Sequence, residues 1–470
     1  MPPQLTPLHS LHHVRLPSSS SFPSSTWDIT FETNGCIKAL TPTPTTNDTS
    51  SIQDTEPPLV LPALTHPHIH LDKAFIHSDP KYAHLAPTTG TFNEALTSTT
   101  TAKRSFEPAD LLKRGSWLLA ESLANGVTAL RAFVEVDATV QHTCLDAALT
   151  LKTHWAEACK IQLVCFAQDP VFSGPHGGEN RRLIESALLR DGVDVLGSTP
   201  YVESDAESAK RNIEWAVQTA LAHDKHLDFH LDYTLDPGRE PLVWTVLDAL
   251  RRWGWTGKST QKRVMLGHCT RLTLFGEDEW ARLAKEIAED ELPVSFVGLP
   301  TSDLYMAAPP AGGGKNGGMA TPRGTLQVPR LVREYGLDAV VGVNNVGNAF
   351  TPWAAADPLG LACLGVGVYQ AGTRADAELL YECVSTRARA AIGIEEGGGA
   401  GVTVGVGDYA DLLLVYARDD TGCDVVARPR NSVAEVVWDP PSKINRDVIR
   451  QGRLMLSPWV SKQDGVYEFV

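Results

Sequence analysis

Short apolar runs and amphipathic segments alternate through the middle of the chain, and eight of the runs are typical of buried strands. The first run ends in His68-Ile69-His70, and the others lie at 128–136, 161–167, 193–199, 226–232, 263–268, 292–299 and 338–344. The segments between them show helical spacing; one at 108–124 stops at Asn125-Gly126, a helix end signal. Eight strands that alternate with helices predict a parallel (β/α)8 barrel, with an open doubly wound sheet as the alternative.

The two ends of the chain do not continue this pattern. WDITFETN and GCIKAL near the start, and DYADLLLVYA, SVAEVVWD and RDVIRQGRLML near the end, have β-like composition. We predict that residues 1–60 and 400–470 pair into a small β-sandwich, and that residues 61–399 form the barrel. The glycine-rich stretches 311–318 and 395–407 lack phosphate-loop spacing and are interpreted as loops, the first with a lid as the alternative.

Composition narrows the class of partner. The 470 residues are 43% hydrophobic and 21% charged, typical of a soluble globular protein, and the net charge is −15. This charge argues against nucleic acid and against an anionic membrane surface, and no run of apolar residues is long enough to span a membrane. Eight scattered cysteines without a CxxC pair favour reduced thiols in a cytoplasmic enzyme. We expect a small-molecule substrate, and a homo-oligomer stays open.

Histidines stand at the carboxyl ends of three predicted strands, where barrel active sites lie. His68 and His70 end the first, His230 ends the fifth and His268 ends the sixth. In an HxH pair on a strand, both rings point to one side, so two imidazoles can bind one ion. A third imidazole completes a catalytic site that leaves a position for water, and the ion lowers the pKa of that water. Each histidine alone is more typical of a packed residue, and His66 is interpreted as packing below the site.

Six stretches together resemble a known family: PHIHLDKAF, CFAQDPVF, VDVLGSTPYVES, DFHLD, LGHCT and VGVNNVGNAFTPW, in that order. They look like the cytosine deaminase branch of the amidohydrolase superfamily. The resemblance implies that His68, His70 and His230 bind one divalent metal ion. It also implies that His268 polarises or protonates the substrate and shuttles protons, and that Gln168 holds the amide face of a pyrimidine.

Two positions depart from the family pattern. Tyr233 stands where the family has a glutamate that carries a proton, and Asn344 stands where it has an aspartate that binds the metal. An asparagine carbonyl can be a weak ligand but cannot accept a proton, and a tyrosine is a poor base near neutral pH. The departures argue against cytosine deamination by the family's route.

Other polar residues near the strand ends are candidates for supporting roles. Asp232 is a catalytic candidate beside His230, although strand alternation points its side chain away from the site. Asp303 and Trp353 are candidate substrate contacts. Asp72 is expected to orient a ligand or to pair with Lys73, and Asp357, which precedes a proline, is expected to cap a helix.

Three functions fit this sequence. The first is a metal-dependent hydrolase that acts on a non-peptide C–N bond of a cyclic amide, amidine or aminoheterocycle. The second is an inactive metal- or ligand-binding protein on the same barrel, and the third, weaker, is a lyase or isomerase. Imidazole ligands suit several transition metals, with zinc and iron favoured here.

Overall fold

The computed structural model describes residues 2–17, 25–43, 56–307, 323–394, 401–455 and 465–470. Its strands are β1 (Leu5–Val14), β2 (Trp27–Phe31), β3 (Ile37–Pro42), β4 (Leu59–Pro62), β5 (Leu64–His70), β6 (Val127–Glu135), β7 (Lys160–Ala167), β8 (Val193–Ser198), β9 (His226–Leu231), β10 (Val264–His268), β11 (Val294–Gly298), β12 (Ala339–Val341), β13 (Leu412–Val415), β14 (Arg446–Arg450), β15 (Arg453–Met455) and β16 (Tyr467–Phe469). Its α-helices are α1 (Phe92–Lys103), α2 (Pro108–Ala124), α3 (Thr143–His154), α4 (Gly177–Leu188), α5 (Ala206–Ala222), α6 (Val243–Arg252), α7 (Glu277–Glu289), α8 (Pro300–Met306), α9 (Val328–Tyr335), α10 (Pro358–Val368), α11 (Arg374–Glu382), α12 (Thr386–Ala391) and α13 (Val433–Trp438).

Strands β5 to β12 form the barrel. They lie side by side in chain order and every adjacent pair is parallel. The ring closes because Asn344 N donates to His68 O at 3.1 Å and His70 N donates to Asn344 O at 2.8 Å. This closure confirms the predicted (β/α)8 barrel over the open sheet. Helices cover the outer face, which explains why the strands are apolar along their whole length.

The terminal segments meet in a second, antiparallel sheet with the order β3-β2-β1-β15-β14-β13-β4, and β16 pairs with β1. Strand β1 pairs with β15 through residues 5–7 and with β2 and β16 through residues 8–14, so it passes between two halves of a sandwich. The apolar side chains between the halves, Leu11, Val14 and Ile29 among them, are fully buried. Strand β4 belongs to this sheet and runs into barrel strand β5 across the single residue Ala63.

Two segments differ from their predicted conformation. SVAEVVWD, expected to be a strand, contains helix α13, because the Ser432 side chain caps Glu435 N and Val433, Val436 and Val437 fall on one buried face. The polar N-terminal tail, for which no strand was predicted, forms strand β1, and His9 and His13 on this strand are exposed.

No helix in the described ranges is long and apolar enough to cross a membrane. All eight cysteines are free thiols. The glycine-rich stretch 311–318, for which a lid was the alternative, lies outside the described residues, as do residues 395–400 of the second stretch.

Candidate metal centre and catalytic cavity

Three buried imidazoles meet at the carboxyl end of the barrel, and we call them the imidazole cluster (His68, His70 and His230). The first two end β5 and the third lies near the end of β9. His230 Nε2 lies 3.2 Å from His68 Nε2 and 3.1 Å from His70 Nε2. Their ligand atoms all fall within 4.8 Å of one another, as the HxH alternation on a strand predicts.

The cluster fits a divalent metal ion. A zinc–nitrogen distance of about 2.0–2.1 Å in tetrahedral geometry separates two ligand nitrogens by about 3.3 Å, close to the spacings found here. Burial, reinforced by the charges of His268 and Lys73, lowers the pKa of all three imidazoles well below the usual value. They are therefore neutral, which is the form of histidine that binds a metal ion. A neutral imidazole has one N–H group, so one ring cannot donate a hydrogen bond to both of its neighbours at once.

Aromatic packing, together with a glycine that leaves space, fixes the positions of these imidazole rings. The ring centroid of His68 lies 4.0 Å from that of Phe133, and His230 lies 4.4 Å from Phe166. Gly342 of the closing segment leaves the space for His68, because a Cβ there would lie 3.3 Å from His68 Cβ and 2.9 Å from Leu299 Cδ2. The cluster is thus held by shape as well as by strand geometry.

His268 stands beside the cluster at the end of β10 and is joined to a buried carboxylate. Its ring centroid lies 5.1 Å from that of His230 and 4.1 Å from that of Tyr233. Its Nδ1 lies 2.8 Å from Asp303 Oδ1. Asp303 is fully buried and lies against His268 rather than on the cavity wall. Its role as a substrate contact stays a prediction.

The two residues that depart from the family pattern both line the cavity and both bind Ser302. Asn344 Nδ2 donates to Ser302 Oγ at 2.8 Å, and its buried Oδ1 has no hydrogen-bond partner among the residues that the structure describes. The Tyr233 hydroxyl donates to Ser302 O at 3.3 Å. Burial, with Asp303 nearby, raises the pKa of Tyr233 well above its usual value, so the phenol stays neutral.

A buried lysine, which the sequence analysis did not place in the site, lies on the opposite wall. Lys73 Nζ contacts Gln168 Oε1 at 3.3 Å and Glu135 Oε1 at 2.7 Å. It pairs with Glu135 and not, as expected, with Asp72, whose carboxylate accepts the Glu135 N–H at 2.7 Å. The signal for Lys73 was its place in HLDK, three residues after His70, directly behind a metal-binding pair.

Three further residues from the sequence analysis lie outside the cavity lining. Asp232, the catalytic candidate, has left-handed backbone and accepts the N–H groups of Leu242 and Val243 at the start of α6, away from the cavity. Trp353 is 55% exposed and does not line the cavity. His66 is packed, as expected, but against Ser122 of α2 and not below the site. Its direction follows a pairing irregularity of β5 between His66 and Ile69, where Pro67 lies.

The rest of the cavity wall is formed by aromatic and aliphatic side chains. Phe92 and Leu96 of helix α1, Tyr201 and Phe350 complete its lining. The remaining free volume is about 20 Å³, room for about one water molecule. Helix α1 was not predicted, because FNEALTSTTTAK contains four threonines, which have low helix propensity.

The (β/α)8 barrel with a sandwich built from the two chain ends is a fold that this chain shares with several solved structures. The chain is similar to 5-methylcytosine deaminase from Klebsiella pneumoniae liganded with 5-fluorocytosine (18% identity, TM-score 0.76, covering 96% of this chain and 98% of that one). It is similar to N-isopropylammelide isopropylaminohydrolase from Burkholderia multivorans ATCC 17616 (22% identity, TM-score 0.70, 95% and 97% covered). It is also similar to atrazine chlorohydrolase from Arthrobacter aurescens TC1 complexed with zinc (16% identity, TM-score 0.64, 97% and 96% covered). No protein-family model and no curated protein sequence matches the chain.

Proposed function

We propose that this protein is a metal-dependent hydrolase that cleaves a non-peptide C–N bond in a small cyclic amide, amidine or aminoheterocycle. The observation that carries the proposal is the convergence of three neutral, buried imidazoles, with His68 Nε2 and His70 Nε2 both within 3.2 Å of His230 Nε2. His68, His70 and His230 would hold the ion, with Asn344 Oδ1 as a weak fourth ligand. A divalent ion such as zinc supplies Lewis acidity and lowers the pKa of water at the site.

The opposite wall supports a flat ring that carries a carbonyl or imine group. The oxygen of Gln168 is engaged by Lys73, so its amide N–H groups are free to donate to a substrate acceptor. Phe92, Phe350 and Tyr233 offer aromatic faces around the same space. Donors at one edge and aromatic faces on the sides are the contacts that a planar cyclic amide or aminoheterocycle needs.

The similarity to a deaminase, an aminohydrolase and a chlorohydrolase supports the hydrolytic class. A cytoplasmic location is part of the proposal and is supported by the eight free thiols.

The test joins metal analysis to turnover. We expect about one zinc, iron or manganese ion per purified chain, and release of ammonia, amine or acid from a member of a panel of cyclic amides, amidines and aminoheterocycles. His230→Ala should lose both the metal and the turnover. His154→Ala, which changes an exposed histidine on α3, is the matched control and should keep both. A wild-type protein that binds no ion when metal is supplied in excess would refute the proposal. One bound ion per chain with no turnover across the panel would favour an inactive binding protein.

A further inference from the structure

A second cavity lies where the barrel meets the sandwich, and we call it the junction cavity. It is lined by Arg263, Gly393 and Arg389 on the barrel side and by residues 403–404 and 408–409 on the sandwich side. Its volume is about 260 Å³. Arg263 directly precedes β10, so the junction cavity lies at the amino ends of the barrel strands. It is therefore separate from the imidazole cluster, which lies at their carboxyl ends.

Arg389 reaches this cavity from helix α12 and is only partly engaged. Its Nη2 donates to Asp411 Oδ2 at 2.8 Å. The same carboxylate already accepts Arg450 Nη1 at 3.2 Å and the Gln451 N–H at 2.8 Å. The Nη1 group of Arg389 makes no hydrogen bond to a described residue, and its buried Nε has no partner among them. One aspartate thus serves two guanidinium groups, and Arg389 keeps unused donors.

Arg263 repeats this arrangement on the neighbouring wall. Its Nη2 donates to Ser295 Oγ at 2.8 Å and to the Asp338 carboxylate. Arg387 Nη1 lies 3.8 Å from the other oxygen of Asp338, so this carboxylate is shared as well. The Nη1 and the buried Nε of Arg263 have no partner in the described part of the chain. A Cβ at Gly393 would lie 3.1 Å from Arg263 Cγ, so this glycine leaves the space that Arg263 occupies.

The junction cavity therefore has more guanidinium donors than its carboxylates use. A third carboxylate of the lining, Asp408, accepts the Gly405 N–H at 2.7 Å and contacts no arginine or lysine of the described residues. Stabilising the fold does not require both Arg263 and Arg389, because each aspartate has another arginine beside it. Donors of a charged group that are withdrawn from water without an acceptor are costly, and an oxyanion removes this cost.

We propose that the junction cavity binds a small molecule that carries a carboxylate or phosphate group, held by the free Nη1 groups of Arg263 and Arg389. A planar guanidinium group matches the oxygens of both kinds of anion. The cavity is slightly smaller than the range of about 300–1,000 Å³ in which drug-sized ligands bind, so the ligand is a smaller molecule. This site is independent of the proposed function.

Isothermal titration calorimetry of the zinc-loaded protein tests the proposal, with inorganic phosphate and malonate as probes and malonamide as the uncharged control at equal ionic strength. We expect saturable binding of at least one oxyanion and none of malonamide. Arg263→Gln and Arg389→Gln should each raise Kd at least about tenfold. Arg330→Gln is the matched control, because it removes an exposed arginine of α9 that does not line the cavity.

Two further variants distinguish this site from the metal and from effects on folding. An oxyanion that binds at the junction cavity should still bind in His230→Ala, whereas one that binds at the metal should not. Ala390→Phe adds a ring at an exposed position of the cavity wall without changing any charge, and it should abolish binding. If an arginine variant fails to fold, Ala390→Phe decides the question.

The proposal is overturned if neither oxyanion binds to the wild-type protein. It is also overturned if binding is unchanged in folded arginine variants or in Ala390→Phe, or if binding is lost in His230→Ala. The probe with the lower Kd shows whether the ligand group is a phosphate or a carboxylate. None of these measurements needs turnover, so they decide the proposal even if no substrate is found and the proposed function fails.

Discussion

The two sides of the cavity differ in how the sequence positions their side chains. The imidazole cluster is built from strand alternation and apolar packing, and each of its ligands could be placed from its position in a strand. The His268 side, which we define as His268, Asp303, Tyr233 and Asn344, is built from contacts between chain segments that are distant in sequence, such as Asp303 with His268 and Thr325. Contacts of this second kind are the ones that a local sequence pattern does not reveal.

The largest effect is expected from removing one metal ligand of the imidazole cluster while the His268 side is left unchanged. In His70→Ala, one of three ligands is missing, and we expect turnover to disappear and zinc to stop protecting the fold. In the wild-type protein, zinc at about 1,000 times its dissociation constant should add about 4 kcal/mol to the free energy of unfolding. Thermal unfolding with and without zinc measures this difference, and equal zinc protection in both proteins would contradict the assignment of His70.

Restoring the carboxylates on the His268 side is the next largest change. In Tyr233→Glu combined with Asn344→Asp, the site regains the two acid–base groups of the family that the chain resembles. We expect cytosine deamination to appear, measured as ammonia release, while the wild-type protein shows none. Each single variant is the control, and a double variant that binds zinc but stays inactive on cytosine would show that other residues exclude it.

Two buried lysines, Lys73 and Lys103, both contact Glu135, and variants of the two can distinguish a contribution to stability from a contribution to substrate binding. Lys103 of α1 contacts Glu135, Asp137 and Asp169, whereas Lys73 contacts Glu135 and Gln168. Lys103→Met should cost about 3–5 kcal/mol of unfolding free energy, because it leaves buried carboxylates unpaired. Lys73→Met should cost less, about 1–3 kcal/mol, because Lys103 still pairs with Glu135.

The effects of these two lysine variants on KM should have the opposite order to their effects on stability. Lys73→Met should raise KM more than Lys103→Met does, since only Lys73 lines the cavity and holds the Gln168 oxygen. Denaturant unfolding and steady-state kinetics on the same preparations measure both quantities. A KM raised equally in the two variants would remove Lys73 from the substrate wall.

The smallest effect is expected at Trp353. Because the ring is largely exposed and does not line the cavity, Trp353→Ala should change KM by less than about twofold. Steady-state kinetics measures it, with Phe350→Ala, at a position that does line the cavity, as the contrasting variant. A tenfold rise in KM for Trp353→Ala would restore its sequence-based role in substrate binding.

Sequence patterning favoured the barrel over an open doubly wound sheet because eight apolar runs alternate with helical segments. It predicted His68, His70 and His230 because alternation and strand ends are local properties. It failed at His66, where the backbone leaves regular strand geometry: β5 has a pairing irregularity near Pro67, and the His66 ring faces Ser122 of α2. The contact of Asp303 with His268 joins residues 35 positions apart, which no local pattern encodes.

The link between the sandwich and the first barrel strand constrains the order in which the molecule can assemble during synthesis. Strand β4 pairs with β13, about 350 residues later in the chain, and runs across Ala63 directly into the strand that carries His68 and His70. Residues next to Arg15 can pair with β4 early, but the pairing of β4 with β13 cannot form until nearly the whole chain has left the ribosome. Contacts so distant in sequence form late and slowly. The metal-binding strand is among the first parts to be made and among the last to be fully fixed.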